Sequence, residues 1–553
     1  MGLGVAGFIL ARQMEPYLRA QIVATLSSRL HARVELDVFH VHFDTGQHNQ
    51  WGIVAEGRGL RVWPSVFAPA GASPAPLIVI DAFSFHAPLR YRRSQPIVIS
   101  TVRLSGLSVR VPPRSRRAVT PPSQGPPATS AQAVLASVIV QQILCERAQL
   151  ILETDKPNKL PLGFAIQHLR LTHIAAAQPI SYEVQVTLPR PKGTVHATGN
   201  FGPWNADDPG SSAISGAYTF ANADLGVFKG IAGTLNSAGQ FQGALAQISV
   251  QGETDTPNFA ITHFNSPVAL HTAFQARVDG ADGDTWLDSV RATLGNAHFL
   301  THGQIVRLRT PDSDQEDAAL PEALRDSPLQ GGHDIQLDVA LERTPIDDVL
   351  RLANSAQKPL LTGVVSVKAK LHIPPGKQPV VQRIALAGSF QLDQAQFTNP
   401  AIQSKVEELS LRGQGKPGEA KSAQPIAISS QMQSSFTLAN AVVTLPDLQY
   451  NVPGAEIQLH GAYALSGALN FQGVARMDAT ISQMVGGWKG LLLKPADRFF
   501  KKDGAGTQVP IHVSGTRDAP HFGVDFGRLN STHPQNPANP QGPAGAPAPI
   551  PQG

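Results

Sequence analysis

The amino-acid sequence predicts a mainly β protein: an elongated, curved antiparallel β-sheet, groove-like or taco-like in section, with a few capping amphipathic helices. Strand-like alternation is the first observation, because runs such as Phe241 to Leu245 and Ile248 to Gly252 repeat with period two. Turn chemistry is the second. Segments such as Asn205 to Gly210 and Asn236 to Gly239 separate the runs, so consecutive strands are expected to be antiparallel neighbours.

Glycines inside the strand-like runs are the third observation. Glycine within a strand usually marks a bulge or a bend, so a sheet with many of them is expected to curve. Between Gly193 and Ile261 these glycines are Gly216, Gly230, Gly233, Gly243 and Gly252. The length of 553 residues suggests roughly three to four domains. Repeated antiparallel strands can also grow as one elongated sheet, and we favour that architecture.

Composition limits the partners. Charged residues make up 16% of the chain, against roughly 25% in typical soluble domains, and the net charge is +4, so nothing indicates strong attraction to nucleic acid. Two basic clusters are either solvated charges beside a linker or a patch for anionic lipid headgroups. They comprise Arg90, Arg92 and Arg93, then Arg103, Arg110, Arg114, Arg116 and Arg117. The single cysteine, Cys145, excludes an intrachain disulfide.

The segment from Gly2 to Ala11 is uncharged and mostly apolar, but as a helix it covers about 15 Å, half the hydrocarbon thickness of a bilayer. We expect it to be the outer end of a transmembrane helix that begins upstream of Met1, so residues 1–15 are interpreted as a truncated membrane anchor. Its membrane-contact candidates are Phe8, Ile9 and Leu10. The segment also spells G-x-G-x-x-G, but no strand precedes it, so a dinucleotide site is not supported.

The next region, 16–112, is predicted to hold an N-terminal helix and a β-sheet. Apolar residues at helical spacing predict an amphipathic helix from Tyr17 to Leu30 that caps the first edge of the sheet. In the strands that follow, the side-chain parity changes at Val38–Phe39 and at Gly106, as β-bulges require. A Pro-rich flexible linker is expected at 113–132.

Two β repeat regions follow the linker. The central one, 133–265, is predicted to open with a helix at Ala133 to Ala148 and to continue in strands. The second, 266–477, is predicted to include a short helix at Pro345 to Asn354, which has proline in its first turn, and a strand at Val406 to Leu411.

Residues 478–528 are predicted to form a C-terminal amphipathic helix and terminal strands, and 529–553 a disordered tail. Asp478 is the expected N-cap, and Pro495 ends the helix. This helix either plugs the end of the sheet or contacts a membrane surface. Its membrane-contact candidates are Trp488, Leu491, Leu492, Phe499 and Phe500.

The sequence offers little support for catalysis. It contains no G-x-S-x-G, Walker A, H-E-x-x-H or C-x-x-C motif. His40 and His42 share one face of a predicted strand, but two ligands do not make a metal site. Asp279, Asp282 and Asp284 lie in a Gly-rich turn whose spacing does not fit a calcium loop. We therefore expect a protein that is not an enzyme and has no cofactor and no metal.

Three segments resemble the bacterial AsmA-like family. They are YLRAQIVATLSSRLHARVELDVFHVHF with GIVAEGRGLRV near the N-terminus, GNFGPWNADDPGSSAISGAYTFANADL with GIAGTLNSAGQFQGALAQISVQGETDTPNFAI in the centre, and ISQMVGGWKGLLLKPADRFFKKDGAGTQVPIHVSGTRDAPHFGVDF near the C-terminus. The resemblance implies an inner-membrane protein with a single N-terminal anchor and an elongated periplasmic β body whose concave face is apolar. Larger members of that family resemble bridges that carry phospholipid between the two membranes. This sequence is shorter than those bridges.

Three function classes follow. A lipid-binding or lipid-transfer protein of the cell envelope, supporting outer-membrane biogenesis, would have membrane phospholipid as its partner. A structural assembly factor would act on outer-membrane proteins through edge-strand pairing, without lipid. An enzyme or carbohydrate binder is weakest, because aromatic residues make up only 6% of the chain and no acids are paired at suitable spacing. The candidates for lining a lipid groove are Phe241, Leu245, Leu459, Tyr463, Leu469 and Phe471.

Overall fold

The computed structural model describes most of the chain between residues 15 and 524. The described residues are 15–17, 19–20, 22–24, 26–28, 32–44, 52–64, 76–88, 97–112, 138–154, 156, 159, 161–174, 178–189, 191–203, 209–262, 266–308, 332–352, 359, 361–376, 378–419, 430–485, 507–517 and 519–524. They fall into two compact units. The first unit takes its residues from 1–403 and 429–444, and the second from 404–428 and 445–553.

The fold is mainly β, as predicted, and its sheet is curled. The first strands are β1 (Ala32–Asp44), β2 (Gly52–Pro64), β3 (Ile78–Pro88), β4 (Ile97–Val111), β5 (Val138–Leu152), β6 (Leu162–Ile174), β7 (Ile180–Pro189), β8 (Lys192–Phe201) and β9 (Ala213–Asp224). Next come β10 (Ile231–Ala232), β11 (Thr234–Ala244), β12 (Gln247–Ile261), β13 (Val268–Val278), β14 (Thr285–Leu294), β15 (Ala297–Leu308), β16 (Gly332–Pro345), β17 (Leu361–Ile373), β18 (Ala385–Phe397) and β19 (Gln431–Ala439). The last are β20 (Val442–Val452), β21 (Ala455–Ala464), β22 (Ala468–Met477), β23 (Thr507–Thr516) and β24 (Pro520–Val524).

In the first unit the strands pair in chain order from β1 to β19, with β9 beside β11 and the short β10 joined to the end of β12. The pairings are antiparallel with one exception, since β4 and β5 are parallel. The predicted helix at Ala133 to Ala148 is therefore wrong where the structure describes it, because Val138–Leu152 is a strand. The predicted linker, 113–132, lies outside the described residues.

The described residues include five α-helices and two 3₁₀ helices, the latter at Pro209–Ser211 and Leu225–Val227. The α-helices are α1 (helical at 15–17, 19–20, 22–24 and 26–28), α2 (Ile346–Leu352), α3 (Val380–Arg383), α4 (Pro400–Gly413) and α5 (Ile481–Val485). α1 and α2 confirm the predicted helices at Tyr17 to Leu30 and Pro345 to Asn354.

The predicted strand at Val406 to Leu411 is wrong, because these residues belong to α4. Asn399 stands at the N-cap of this helix, where its side chain accepts a hydrogen bond from the Ile402 N–H at 3.4 Å, and Pro400 occupies the first helical position. An Asn-Pro pair in these positions favours a helix start over the strand that the short alternation suggested.

α5 begins later than predicted. Thr480, not Asp478, caps it, because the Thr480 N–H donates to Gln483 Oε1 at 2.9 Å, in the manner of a capping box. The rest of the predicted helix, with Trp488, Leu491, Leu492, Phe499 and Phe500, lies outside the described residues, as do Phe8, Ile9 and Leu10.

A line of residues left out of the pairing crosses β1 to β6. The parity of the buried side chains changes there, as the sequence predicts, since Leu36 and Phe39 on β1 and Gly57 and Leu60 on β2 are all buried. At one level of the sheet each of these strands carries a residue that its neighbour does not pair. The unpaired residues are Asp37, Gly59, Asp81, Gly106, Arg147 and Gln167. Gly59, Gly106 and Arg147 have positive φ, at 66°, 68° and 59°. The register between neighbouring strands is the same on both sides of this line, so it is an irregularity that all six strands share and not a bulge in one strand of a pair. This line is called the crease below.

Candidate functional site

One face of the first unit is mostly apolar. The pairing register aligns one residue of each strand from β1 to β19, apart from β10, into a transverse row that contains no charged side chain. This apolar row is Phe39, Gly57, Phe83, Leu104, Cys145, Leu169, Val184, Ala197, Tyr218, Gly239, Gly252, Phe274, Val290, Thr301, Val339, Ala369, Gly388 and Phe436. The face that carries it is called the apolar face below.

Aromatic rings occupy the space above glycines on the apolar face. A Cβ placed on Gly239 would lie 2.8 Å from Tyr218 Cε1, and one on Gly216 would lie 3.0 Å from Phe241 Cζ. The Tyr218 and Phe241 rings are 6.5 Å apart between centroids, and the Phe83 ring covers Gly57 in the same way. This surface of rings over glycines is called the floor of the apolar face below.

The floor is a poor environment for charge. Burial raises the pKa of Tyr182 to about 12. Burial also raises the pKa of Tyr218, although the hydrogen bond between its hydroxyl and Ser237 acts in the opposite direction. Both effects show that this face disfavours a phenolate, as an apolar surface does.

The apolar face is covered at the start of the sheet and less covered in the middle. On β1 and β2 its residues form a core cluster with Leu36 at 2% exposure, and α1 packs on it through Ile22, Val23 and Leu26. On β9, β11 and β12 the residues of the same face, such as Tyr218, Phe241 and Val250, are half-buried. Along β12 from Gln247 to Asp255 exposed and half-buried residues alternate, so the apolar side of this strand is not sealed there.

The second unit shows the same division into two faces. Leu459 and Tyr463 on β21 share a face with Leu469 and Phe471 on β22, and β23 continues that face with Val513. A Cβ on Gly461 would lie 2.7 Å from Phe471 Cδ1, so a ring again covers a glycine. The opposite face of β21 and β22 is polar, with Glu456, Gln458, His460, Asn470, Gln472 and Arg476.

Five of the six lining candidates thus lie on apolar faces, all half-buried: Phe241 in the first unit, and Leu459, Tyr463, Leu469 and Phe471 in the second. Leu245 does not lie on a strand. It occupies the turn between β11 and β12, where its N–H donates to Ser212 O at 3.0 Å and its carbonyl accepts from Gly280 at 2.8 Å. The alternation from Phe241 runs past the end of β11, which is why the sequence suggested a strand position.

Charged residues from distant loops meet at one place on the rim of the first unit. This rim cluster consists of Lys156, Lys159, Asp279, Asp282, Asp284, Arg307 and His333. Lys159 Nζ lies 2.6 Å and 2.7 Å from the two Asp284 carboxylate oxygens, and Lys156 bonds Asp282. The lysines belong to the loop between β5 and β6, and the aspartates to the loop between β13 and β14.

The two loops lie at opposite strand ends. The seven successive pairings from β6 to β14, through β7, β8, β9, β11, β12 and β13, are all antiparallel. β6 and β14 therefore run in opposite directions, and their first residues lie at opposite rims of the sheet. A second contact repeats this relationship, since Val380 N–H before β18 donates to Lys229 O before β11 at 3.0 Å. The curled sheet therefore brings its two rims together at both places.

Burial and neighbouring charges shift the pKa values of several residues in the rim cluster. Burial acts to raise the pKa of Asp282, but hydrogen bonds from Lys156 and from the Asp284 N–H outweigh it, and the pKa is lowered. Burial and the nearby Asp282 charge raise the pKa of Asp279. Burial, and then the Arg307 charge, lower the pKa of His333 to about 4. The turn interpretation of the three aspartates is consistent with these contacts.

A cavity of about 750 Å³ lies against β1 to β8. It is lined by charged residues of the opposite face and by residues of the apolar row such as Phe83, Leu104 and Leu169. Its charges include both signs, and some are paired: Glu183 Oε2 lies 3.3 Å from Arg170 Nη1, and Glu183 Oε1 lies 3.4 Å from His196 Nε2. His40, from the sequence-predicted histidine pair, lines this cavity and lies 3.5 Å from Glu15. Within the described residues, no group of three or more His, Cys, Asp or Glu side chains is arranged to hold a metal ion.

Comparison with known proteins found no match: no family model, no curated protein and no solved structure is similar to this chain. The resemblance to the AsmA-like family therefore stays a prediction. Over the described residues, no helix has the length and apolar character needed to cross a membrane.

Proposed function

We propose that this chain is a cell-envelope protein that is not an enzyme and that binds or conducts phospholipid between the inner and outer membranes, supporting outer-membrane biogenesis. Acyl chains lie along the apolar face. The single observation that carries the proposal is the apolar row, which continues across the sheet from Phe39 to Phe436 and is half-buried in its middle. A long apolar surface of this kind is rare in a monomer unless another molecule covers it.

The energetics fit a chain-shaped apolar ligand. Each CH₂ removed from water contributes roughly 0.8 kcal/mol, so a chain of about ten carbons gains roughly 8 kcal/mol before the cost of ordering it. The glycine-and-ring floor provides a smooth surface without a pocket for one particular side group. Acyl chains of different lengths are therefore expected to bind.

The resemblance and the apolar N-terminal segment support a proposed location for the protein. The chain is anchored in the bacterial inner membrane by a single N-terminal helix, with its bulk in the periplasm. In this location the apolar face is available to lipid that leaves the inner membrane. Outer-membrane assembly proteins are further candidate partners.

Loading of the purified chain with a fluorescent phospholipid tests the proposal. Phe241→Asp places a carboxylate on the floor and is expected to reduce loading strongly, whereas Gln242→Asp, on the exposed opposite side of β11, is expected to leave it unchanged. Leu469→Asp and the nearly isosteric Asn470→Asp form the matched pair on β22. If the folded members of each pair take up the same amount of lipid, the apolar face is not the lipid site.

That result would favour the assembly-factor alternative. Among the described strands β24 pairs only with β23, and Phe522 on it is 47% exposed. A strand edge of this kind is where another chain can pair.

A further inference from the structure

Arg307 is a charged residue on the apolar face. In β15 it follows Thr301, Gly303 and Ile305 on the same side of the strand, and its partner across β16 is His333. Among strands β11 to β19 the register places no other charged side chain on this face. The exception is not at the surface, because Arg307 is 5% exposed.

The guanidinium group uses only part of its hydrogen-bonding capacity. Nη1 donates to the Asp282 carbonyl oxygen at 2.9 Å, and the backbone N–H donates to Asp284 Oδ1 at 3.0 Å. The carboxylates nearby are bonded to Lys156 and Lys159 instead. Nε and Nη2 are buried and have no hydrogen-bond partner among the described residues. Buried unsatisfied donors of a charged group are costly and call for a ligand.

Nε–H and Nη2–H point from the same edge of the planar guanidinium. This edge is the fork that binds two oxygens of a phosphate or carboxylate by parallel hydrogen bonds. The fork stands at the rim where the apolar face ends. An amphiphile whose chain lies on that face would carry its anionic group to this position.

We propose that Arg307 forms the headgroup site of the apolar face, where it binds a phosphate or carboxylate of an anionic amphiphile through Nε and Nη2. The inference rests on the proposed function. Because the fork is buried, the headgroup reaches it when the contacts of the rim cluster separate. Lys156, with a side chain 55% exposed, is the member most able to move.

The test compares two probes with identical acyl chains, phosphatidic acid and diacylglycerol, on the full chain. Wild type is expected to bind phosphatidic acid at least about tenfold more tightly, as a charge-assisted bidentate contact allows. Arg307→Gln is expected to remove this preference without weakening diacylglycerol binding. Arg291→Gln, which changes an exposed arginine on the opposite face of β14, is expected to retain the preference.

Equal binding of the two lipids by wild type, or a preference that survives in folded Arg307→Gln, would overturn the proposal. If Arg307→Gln does not fold, Arg307→Lys decides, because it keeps the charge without the fork and is expected to lose most of the preference. Inorganic phosphate separates the two sources of the anion: binding as tight as that of phosphatidic acid would also overturn the headgroup assignment. Failure of wild type to bind either lipid would instead reject the proposed function.

Discussion

Lys159 and Asp284 form a two-oxygen ion pair, with Nζ–O distances of 2.6 Å and 2.7 Å, although the loops that hold them lie at opposite strand ends of the sheet. Both side chains are nearly buried, at 10% and 12% exposure. The pair therefore ties one rim of the curled sheet to the other. Its position beside Arg307 and His333 places it at one end of the apolar face.

Breaking this pair is expected to destabilise the first unit. Lys159→Met leaves the Asp284 carboxylate buried without its cation, a loss of about 3 kcal/mol in the free energy of unfolding. Arg170→Gln, which removes the exposed partner of Glu183, is the control and is expected to change stability little. Denaturant unfolding of the two variants measures the difference. Equal stability of Lys159→Met and wild type would mean that the rims do not depend on this contact.

The rim cluster is also expected to make stability depend on pH. His333 has a pKa of about 4 in the folded chain, below its ordinary value of 6.5, so between these values the unfolded chain binds the extra proton. Stability then rises with pH across this window and falls on acidification. From pH 7 to pH 5 the loss from His333 is about 2 kcal/mol. Arg307, Lys159 and Asp284 are the charges that face this imidazole.

Unfolding of wild type and His333→Gln at pH 7 and pH 5 measures this contribution. The variant is expected to lose about 2 kcal/mol less than wild type on acidification, because glutamine does not titrate. The lowered pKa of Asp282 acts in the same direction only at lower pH, since its stabilising charge is lost as the pH falls below the usual aspartate range. An identical pH dependence in the two proteins would contradict the assignment.

The crease gives a third prediction. Gly106 has a φ of 68°, and the Asp81 carboxylate occupies the space that a Cβ on Gly106 would need. Gly106→Ala is therefore expected to lower the free energy of unfolding by about 1–3 kcal/mol, through backbone strain and the displaced aspartate. Gly418→Ala is the control, because a Cβ added there would meet no atom within 4 Å. Thermal unfolding distinguishes the two, and equal melting temperatures would show that the crease tolerates a side chain.

The sequence predicted features that depend on local pattern. Alternation along Phe241 to Gly252 indicated antiparallel strands, and the parity changes at Val38–Phe39 and Gly106 located the crease on two strands, although the bulges expected there are not present. The sequence prediction failed at Ala133 to Ala148. The run Val138, Ile139 and Val140 is apolar at every position, so it shows no strand-like alternation, and the spacing from Val138 to Cys145 also fits a helix. Pairing with β4 makes Val138–Leu152 a strand.

The rim cluster could not be predicted from local sequence at all. Lys159 and Asp284 are separated by 125 residues, so their contact depends on the twist and curl accumulated over the intervening strands. The sequence did single out the three aspartates, but it gave no indication that two lysines form ion pairs with them. Arg307 likewise stands out only after the register shows which face it occupies.

Mass spectrometry of lipid extracted from the purified chain, prepared without detergent exchange that strips lipid, tests the central claim most directly. The account predicts phospholipid with acyl chains of mixed length bound to wild type and a strong reduction in Phe241→Asp, but not in Gln242→Asp. A folded wild-type protein that carries no lipid, and takes none up when phospholipid is supplied, would contradict it.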